Sequence, residues 1–169
     1  SFTTLNTNYY EMSIDFSEHY KRNLVQWVEN HDLEPEVFVT FSTKKTNEAE
    51  FLRNVNLMLM KSSKYSKSHI GAVGGYEISS DHMHGHLVIL GENKLKNGFL
   101  RERWDHGTVH ECFFRSRSNS SPKLASFYAM NHPEIIQFRD YCPNPHKCQS
   151  EACTHGRKNK IEALDTHKK

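Results

Sequence analysis

The sequence predicts an α+β protein in which a central antiparallel β-sheet of about five strands is flanked by helices. The chain has 169 residues, of which 36% are hydrophobic, so it is long enough to close one core. Helix-like and strand-like segments follow one another in the order helix, strand, helix, three strands and helix. The strands have short connections, which favours hairpins over the long crossovers of a parallel sheet.

Two amphipathic helices are predicted in the first half of the chain. Apolar residues recur at helical spacing over residues 16–29, and this helix should end near Asn30. The second helix should be capped near Thr46, and a polar connector over residues 62–68 should follow it. Its inward-facing residues are expected to be Phe51, Leu52, Val55, Met58 and Leu59.

Four segments have the composition of β-strands. Residues 37–43 are β-branched or aromatic almost throughout, and residues 70–78 read as a strand that contains glycines. Residues 83–90 should be central in the sheet, because their last four residues are apolar on both faces. These two later strands should form a hairpin. A long, partly basic loop over 91–107 then precedes a strand over 108–116.

A further helix and a change of composition complete the predicted architecture. The helix should begin at Ser121 and Pro122, a capping hydroxyl followed by proline, and should stop at Pro133. From residue 140 onward, cysteine, histidine, proline and polar residues replace the apolar periodicity. We therefore expect one domain over residues 1–139 and a small Cys/His-rich appendage over residues 140–169.

The net charge of +2 is distributed unevenly. Residues 1–91 carry 8 Lys/Arg and 11 Asp/Glu, whereas residues 92–169 carry 14 and 9, so the second half is the better candidate for facing an anion. No run reaches the roughly 18 apolar residues of a membrane span, and the first residues lack the pattern of a signal peptide. We expect a soluble intracellular protein without a membrane partner, in the cytoplasm or the nucleus depending on the host.

Three histidines, His82, His84 and His86, alternate along the predicted central strand and should share one of its faces. If the hairpin turn is centred on residues 80–81, Glu77 lies directly opposite His84. Glu77, His84 and His86 then form a two-nitrogen, one-oxygen site with positions open to water or substrate. Such ligands suit Mn²⁺, Mg²⁺ or Zn²⁺. The alternative interpretation is a row of surface histidines that bind no metal.

A second group of metal-binding residue types lies near the end of the chain. Three of the four cysteines fall within twelve residues, with one histidine between them and another just after them. Thiolates and imidazoles at close spacing are the ligands of structural Zn²⁺, which could replace the core that such a polar segment lacks. The predicted set is Cys142, Cys148, Cys153 and His155, with His146 and Cys112 as alternative ligands. The other interpretation is four ordinary thiols.

The sequence His84-Gly85-His86, followed by an apolar run over 87–90, resembles the His-hydrophobic-His motif of the HUH endonucleases. These nickases initiate rolling-circle replication of plasmids and of single-stranded or parvovirus-like DNA viruses. Residues 37–42, 104–109 and 124–128 resemble, in order, the first motif, the tryptophan and glycine before the next strand, and the tyrosine helix of such initiators. The resemblance covers about residues 36–131, and we expect a ferredoxin- or RRM-like sheet.

The resemblance implies a metal-dependent, site-specific nickase and strand transferase of single-stranded DNA that starts replication or transposition. Tyr128 would be the nucleophile that forms a 5′-phosphotyrosine, Asn131 would assist it, and Mn²⁺ or Mg²⁺ would be the cofactor. The chain departs from the family pattern at two positions. Gly85 replaces a bulky apolar residue, and Asn131 stands where the family commonly has a lysine.

Basic residues around the predicted site are candidates for contacts with phosphate, and such contacts would make DNA binding salt dependent. They are Lys44, Lys45, Arg101, Arg103, Arg115, Arg117 and Lys123. The expected partner is single-stranded DNA or an origin hairpin. No phosphate-binding loop of the G-x-x-x-x-G-K-[ST] type occurs, so we expect a helicase in the same parent chain or one from the host.

Two other functions fit the same residues. The first is a non-catalytic domain that binds an origin or hairpin, which the missing lysine favours. The second is a metal-dependent phosphodiester hydrolase in which water replaces the tyrosine as nucleophile. A covalent protein–DNA adduct would distinguish the nickase from both.

Overall fold

The computed structural model describes residues 14–44, 46–116, 121–122, 125, 129–131 and 134–167. Over these residues it confirms the predicted α+β class with a five-stranded antiparallel sheet. The elements are α1 (Ile14–Asn30), β1 (Glu34–Lys44), α2 (Glu48–Ser66), β2 (Ile70–Ile78), β3 (His82–Gly91), β4 (Gly107–Phe113), β5 (Glu134–Tyr141) and α3 (Thr154–His167). Short 3₁₀ turns lie at Arg101–Arg103 and Phe114–Ser116.

The strand order across the sheet is β4-β1-β3-β2-β5. β1 and β2 are joined through α2 and lie on either side of β3, to which both are antiparallel. This is the split βαβ arrangement of ferredoxin-like sheets. β4 and β5 extend it at its two edges, so β3 is the central strand of the sheet.

The two faces of the sheet are covered by different helices. Residues of β3 such as Leu87 and Ile89 point into a core that contains Phe51 and Leu59 of α2. Their neighbours Val88 and Leu90 point into a second core that contains Leu24, Val25 and Val28 of α1. Because side chains alternate along a strand, His82, His84 and His86 lie on the α1 face. The predicted burial of β3 on both faces is confirmed.

The predicted helices agree closely with α1 and α2, but α2 differs at both ends. Its N-cap is Asn47 and not Thr46, because the Asn47 side chain accepts a hydrogen bond from the Glu50 amide at 2.8 Å. The helix continues to Ser66, so the predicted polar connector over 62–68 is largely wrong. Ser62 and Ser63 are buried in its last turns, and Lys67, in the left-handed conformation, ends it.

β5 and α3 are two elements that the segment-by-segment prediction did not name. The predicted boundary between residues 139 and 140 falls inside β5, which pairs with β2 up to Tyr141. The Tyr141 hydroxyl also donates a hydrogen bond to the side chain of Asn56 on α2. The strand therefore belongs to the sheet, and the segment that follows it starts at Cys142.

Gly85, the unusual middle residue of the histidine motif, is fixed by packing on the α2 face. A Cβ atom at this position would lie 2.7 Å from the Gly75 carbonyl oxygen and 3.0 Å from both the Phe41 ring and the Tyr76 Cβ. Phe41 and Tyr76 are fully buried there. These two side chains occupy the space that a bulky residue at this position would need.

Replacing Gly85 with alanine should destabilise the fold by about 1–3 kcal/mol, because the added methyl group overpacks the core. Gly71→Ala is the matched control. Its Cβ would have no neighbour closer than 3.4 Å, so we expect a change in stability of less than about 1 kcal/mol. Urea unfolding followed by circular dichroism measures both variants. Equal unfolding midpoints would contradict the packing assignment.

Glu36 is a buried acid that fastens the loop after β3 to the start of β1. Its carboxylate accepts hydrogen bonds from the Leu95 amide at 2.7 Å and the Asn93 amide at 3.2 Å, and Arg115 lies 3.7 Å away. Burial raises the pKa of Glu36 above its usual value, against the effect of these partners. The loop that carries Glu92 is thereby held against the sheet.

A raised pKa means that the folded state holds the Glu36 proton more tightly than the unfolded state does. The contribution of Glu36 to stability is therefore largest at low pH and is lost as the pH rises through its folded pKa. Glutamine does not titrate, so the Glu36→Gln variant should not lose this free energy of unfolding as the pH rises. We therefore expect the difference in unfolding free energy between wild type and variant to shrink above pH 4.5, as measured by urea unfolding at a series of pH values. A deficit independent of pH would contradict the assignment.

Candidate functional site

The predicted hairpin register is confirmed, because Glu77 pairs with His84 and Ile78 pairs with Met83 across β2 and β3. The Oε2 atom of Glu77 lies 3.5 Å from Nε2 of His84. Both side chains are partly exposed, on the α1 face of the sheet. An acid and an imidazole are thus held side by side by the backbone ladder between two central strands.

His86 follows His84 on the same face and is oriented by β1. Its Nδ1 atom is hydrogen-bonded to the Thr40 hydroxyl at 2.8 Å, and its ring stacks on Phe38 with 5.3 Å between centroids. The pairing of Thr40 with His86 across β1 and β3 places the hydroxyl there. A hydrogen bond to Nδ1 fixes the plane of the ring and directs Nε2 away from β1.

His82 extends the histidine row toward the hairpin turn. Its ring stacks on that of His84 at 5.5 Å, and its Nδ1 atom lies 2.7 Å from the Asp81 carboxylate. The hydrogen bond and the charge of His82 lower the pKa of Asp81. We call the row formed by Glu77, His82, His84 and His86 the histidine face.

Only two of the three predicted metal ligands, Glu77, His84 and His86, have their ligand atoms close together. Glu77 and His84 are adjacent, whereas His86 is held by Thr40. Among the described residues, the set whose ligand atoms all lie within 4.8 Å of one another is a different one, described below. A cation shared by Glu77, His84 and His86 would require their side chains to rotate toward one another.

The predicted nucleophile Tyr128 lies outside the described residues. Of its described neighbours in the sequence, Ala129 and Met130 are helical and buried in the core on the α1 face, and Ala125 packs against the same core. The Ala125 amide donates to the Ser121 carbonyl at 2.9 Å, as expected for a helix that begins at Ser121 and Pro122. Asn131 follows this segment and is exposed.

The predicted DNA-contact residues are distributed over different parts of the molecule. Lys44 is exposed at the end of β1 and pairs with His82, so it lies on the histidine face. Arg101 and Arg103 belong to a 3₁₀ turn beside α2, and the Arg103 guanidinium packs on the Phe99 ring at 3.5 Å. That turn is on the opposite face of the sheet. Lys45, Arg117 and Lys123 lie outside the described residues.

Arg115 is also separated from the histidine face. It donates hydrogen bonds to the Leu95 carbonyl at 2.8 Å and to the Asn93 side chain at 3.1 Å. These contacts lie at the end of the sheet where β3 finishes, whereas the histidines lie where β3 begins. Arg115 therefore binds the protein's own loop, and of the predicted basic residues that are described, Lys44 alone is brought to the histidine face.

The tightest group of potential metal ligands among the described residues is the cysteine cluster, formed by His69, Cys142, Cys148 and Cys153. One ligand atom from each lies within 4.8 Å of all the others, so the group could hold a metal ion such as zinc. The His69 Nε2 atom is 3.3 Å from the Cys148 sulfur. Cys148 and Cys153 are buried, and all three cysteines are free thiols.

Three of the four predicted zinc ligands are in this cluster, but the predicted histidine is not. His155 lies on the first turn of α3, with Nδ1 3.7 Å from the Cys153 sulfur, and the fourth member is His69. The alternatives are also outside it, since His146 is exposed and Cys112 belongs to β4, at the far edge of the sheet. Because His69 is 73 residues before Cys142 in the sequence, local spacing could not identify it.

The thiols of the cysteine cluster shift one another's pKa values. Burial, followed by the neighbouring thiols Cys148 and Cys153, raises the pKa of Cys142 to about 12. For Cys148, burial is outweighed by hydrogen bonds from the Ser150 amide and His69, which lower its pKa. Adjacent thiolates repel, and a bound cation relieves that repulsion.

No protein-family model, curated protein or solved structure matches this chain. None of the described helices combines the length and the apolar composition that a membrane-spanning helix requires. The functional assignment therefore rests on the two groups of residues described above.

Manganese should bind at the histidine face, because Mn²⁺ favours oxygen and imidazole ligands over thiolates. We expect its addition to broaden the imidazole NMR signals of His84 and His86 strongly. His31 is the internal control, since it lies beside Gly71 at the other end of β2. Equal broadening of all three signals would contradict a site at the histidine face.

Proposed function

We propose that this chain is a metal-dependent, site-specific nickase and strand transferase of single-stranded DNA, similar to HUH endonucleases. The observation that carries the proposal is the shared face of Glu77, His84 and His86 on neighbouring central strands. A helical segment that contains Ala129 and Met130 packs on that same face. Tyr128 directly precedes these two residues in the sequence, which favours it as the nucleophile.

The residues of the histidine face suit a divalent cation of the Mn²⁺ or Mg²⁺ type. Glu77 supplies oxygen, and His84 and His86 supply imidazole nitrogens. Thr40 would orient the His86 ring, because its hydroxyl is hydrogen-bonded to Nδ1 and Nε2 is left as the ligand atom. When bound, the cation neutralises charge that develops on the scissile phosphate.

The proposed reaction is a transesterification. The Tyr128 hydroxyl attacks the phosphorus in line, a bond from the phenolic oxygen to phosphorus forms, and the bond from phosphorus to the 3′ oxygen breaks. The proton lost by the phenol is balanced by the proton that the leaving 3′ oxygen gains to become a 3′-hydroxyl. Because the energy of the broken bond is kept in the 5′-phosphotyrosine, a later 3′-hydroxyl can rejoin the strand. This step starts replication or transposition.

The proposed partner is single-stranded DNA or an origin hairpin. Lys44 is exposed beside the histidines, where its ammonium group would contact phosphate. Asn131 offers an uncharged hydrogen-bonding side chain where the family commonly has lysine. Unwinding would come from a helicase in a longer parent chain or from the host. Such a protein would act in the cytoplasm or the nucleus, depending on that host.

Tyr128→Phe should abolish a covalent adduct between the protein and labelled single-stranded DNA formed in Mn²⁺. A pool of oligonucleotides with randomised sequence serves as substrate, and the adduct is detected by its shift on a denaturing gel. Tyr65→Phe is the matched control, because Tyr65 is exposed on α2, on the opposite face of the sheet. We expect this control to retain the full adduct yield.

His84→Ala and His86→Ala should reduce the adduct yield at least tenfold, whereas His19→Ala on the exposed side of α1 should not. An adduct that persists in Tyr128→Phe would overturn the choice of nucleophile. Cleavage without any adduct would indicate the hydrolase. Retention of DNA without cleavage would indicate the binding domain, and either outcome would overturn the nickase proposal.

A further inference from the structure

The cysteine cluster is assembled by the pairing of β2 with β5. Ile70 at the start of β2 is the register partner of Tyr141 at the end of β5. His69 precedes the first of these residues and Cys142 follows the second, so the ladder brings this histidine and this cysteine together. Two of the four residues are therefore positioned by the sheet itself.

The other two ligands come from the segment between β5 and α3. Cys148 and Cys153 are its most buried side chains, at 9% and 3% exposure. The segment is folded back by polar contacts, since the Asn159 side chain donates to the Pro145 and Cys148 carbonyls, each at 2.9 Å. Between residues 142 and 153 it has almost no aliphatic side chains with which to build a core.

We propose that His69, Cys142, Cys148 and Cys153 bind one structural Zn²⁺ that ties the C-terminal segment to the sheet. Three thiolates and one imidazole make a closed tetrahedral set, typical of structural zinc. Ideal zinc bond lengths place a coordinating nitrogen and sulfur about 3.6 Å apart, close to the 3.3 Å between His69 Nε2 and Cys148 Sγ. The site is distinct from the proposed nickase centre.

Glu92 is the positioning residue for His69. One of its carboxylate oxygens, Oε1, lies 2.6 Å from His69 Nδ1 and accepts a hydrogen bond from the His69 amide at 2.5 Å. A carboxylate at Nδ1 keeps the proton on that nitrogen and leaves Nε2 as the metal ligand. The Glu92 amide in turn donates to the Ser68 hydroxyl at 3.2 Å, so the carboxylate belongs to the same corner of the sheet.

This arrangement makes the metal part of the domain and not of an isolated tail. The cation would join the start of β2, the end of β5 and the start of α3. Because the unfolded chain does not hold these four residues together, the free energy of binding becomes free energy of folding. Removal of the metal should therefore destabilise the whole sheet and not only the last residues.

The full chain, purified without added chelator, should contain one zinc atom per molecule by plasma mass spectrometry. Replacement of zinc by Co²⁺ should give the thiolate charge-transfer absorption and the visible bands of a tetrahedral site. Chelation should lower the melting temperature, and Zn²⁺ should restore it. Absence of both zinc and the Co²⁺ thiolate bands would overturn the proposal, and this test needs no variant.

Variants then identify the ligands. His69→Ala and Cys148→Ser should lose stoichiometric zinc, whereas His155→Ala and Cys112→Ser should retain it. Glu92→Gln should keep the tetrahedral Co²⁺ spectrum but weaken Zn²⁺ binding about tenfold or more in competition with a chelator. Loss of zinc in His155→Ala with retention in His69→Ala would overturn the assignment of His69. Unchanged affinity in Glu92→Gln would overturn the role of Glu92.

Discussion

The register of β3 between β1 and β2 determines what each face of this protein can do. β3 pairs along its length with both neighbours, so each of its side chains has fixed partners on either side. Glu77 and Thr40 are thereby set beside His84 and His86, while Gly85 faces the opposite core. Because side chains alternate, a slip of one residue would move the histidines into that core and the apolar residues to the α1 face.

The histidine face could be predicted from the sequence because it depends on local chain geometry. A short hairpin leaves little choice of register, so residues that are seven apart, such as Glu77 and His84, can be paired by counting outward from the turn. His69, the fourth member of the cysteine cluster, could not be found in this way. Its neighbours in the cluster are set by the pairing of β2 with β5. The apolar residues of β5, Ile135, Ile136 and Phe138, do not alternate strictly with polar ones, so the sequence pattern does not identify the strand.

Gly85 shows how the residue between two histidines can be small while the histidines keep their positions on the strand. On the histidine face, the two flanking imidazoles keep their spacing, because the backbone conformation of the strand sets it. On the opposite face, the volume is supplied by Phe41 and Tyr76 and not by the motif residue itself. Side chains of the two neighbouring strands therefore fill the core beside residue 85, and they leave room only for glycine at that position.

The two groups of potential ligands lie at opposite ends of β2. His69 precedes the strand and Glu77 lies near its end, so about eight residues of extended chain, or roughly 26 Å, separate them. Their ligand types differ as well, since thiolates favour zinc whereas carboxylate and imidazole suit harder ions. Distance and chemistry together would let a structural zinc and an exchangeable catalytic cation be loaded independently. Removal of the catalytic ion would then leave the sheet intact, whereas removal of zinc would destabilise the whole sheet through β5, the edge strand that leads to Cys142.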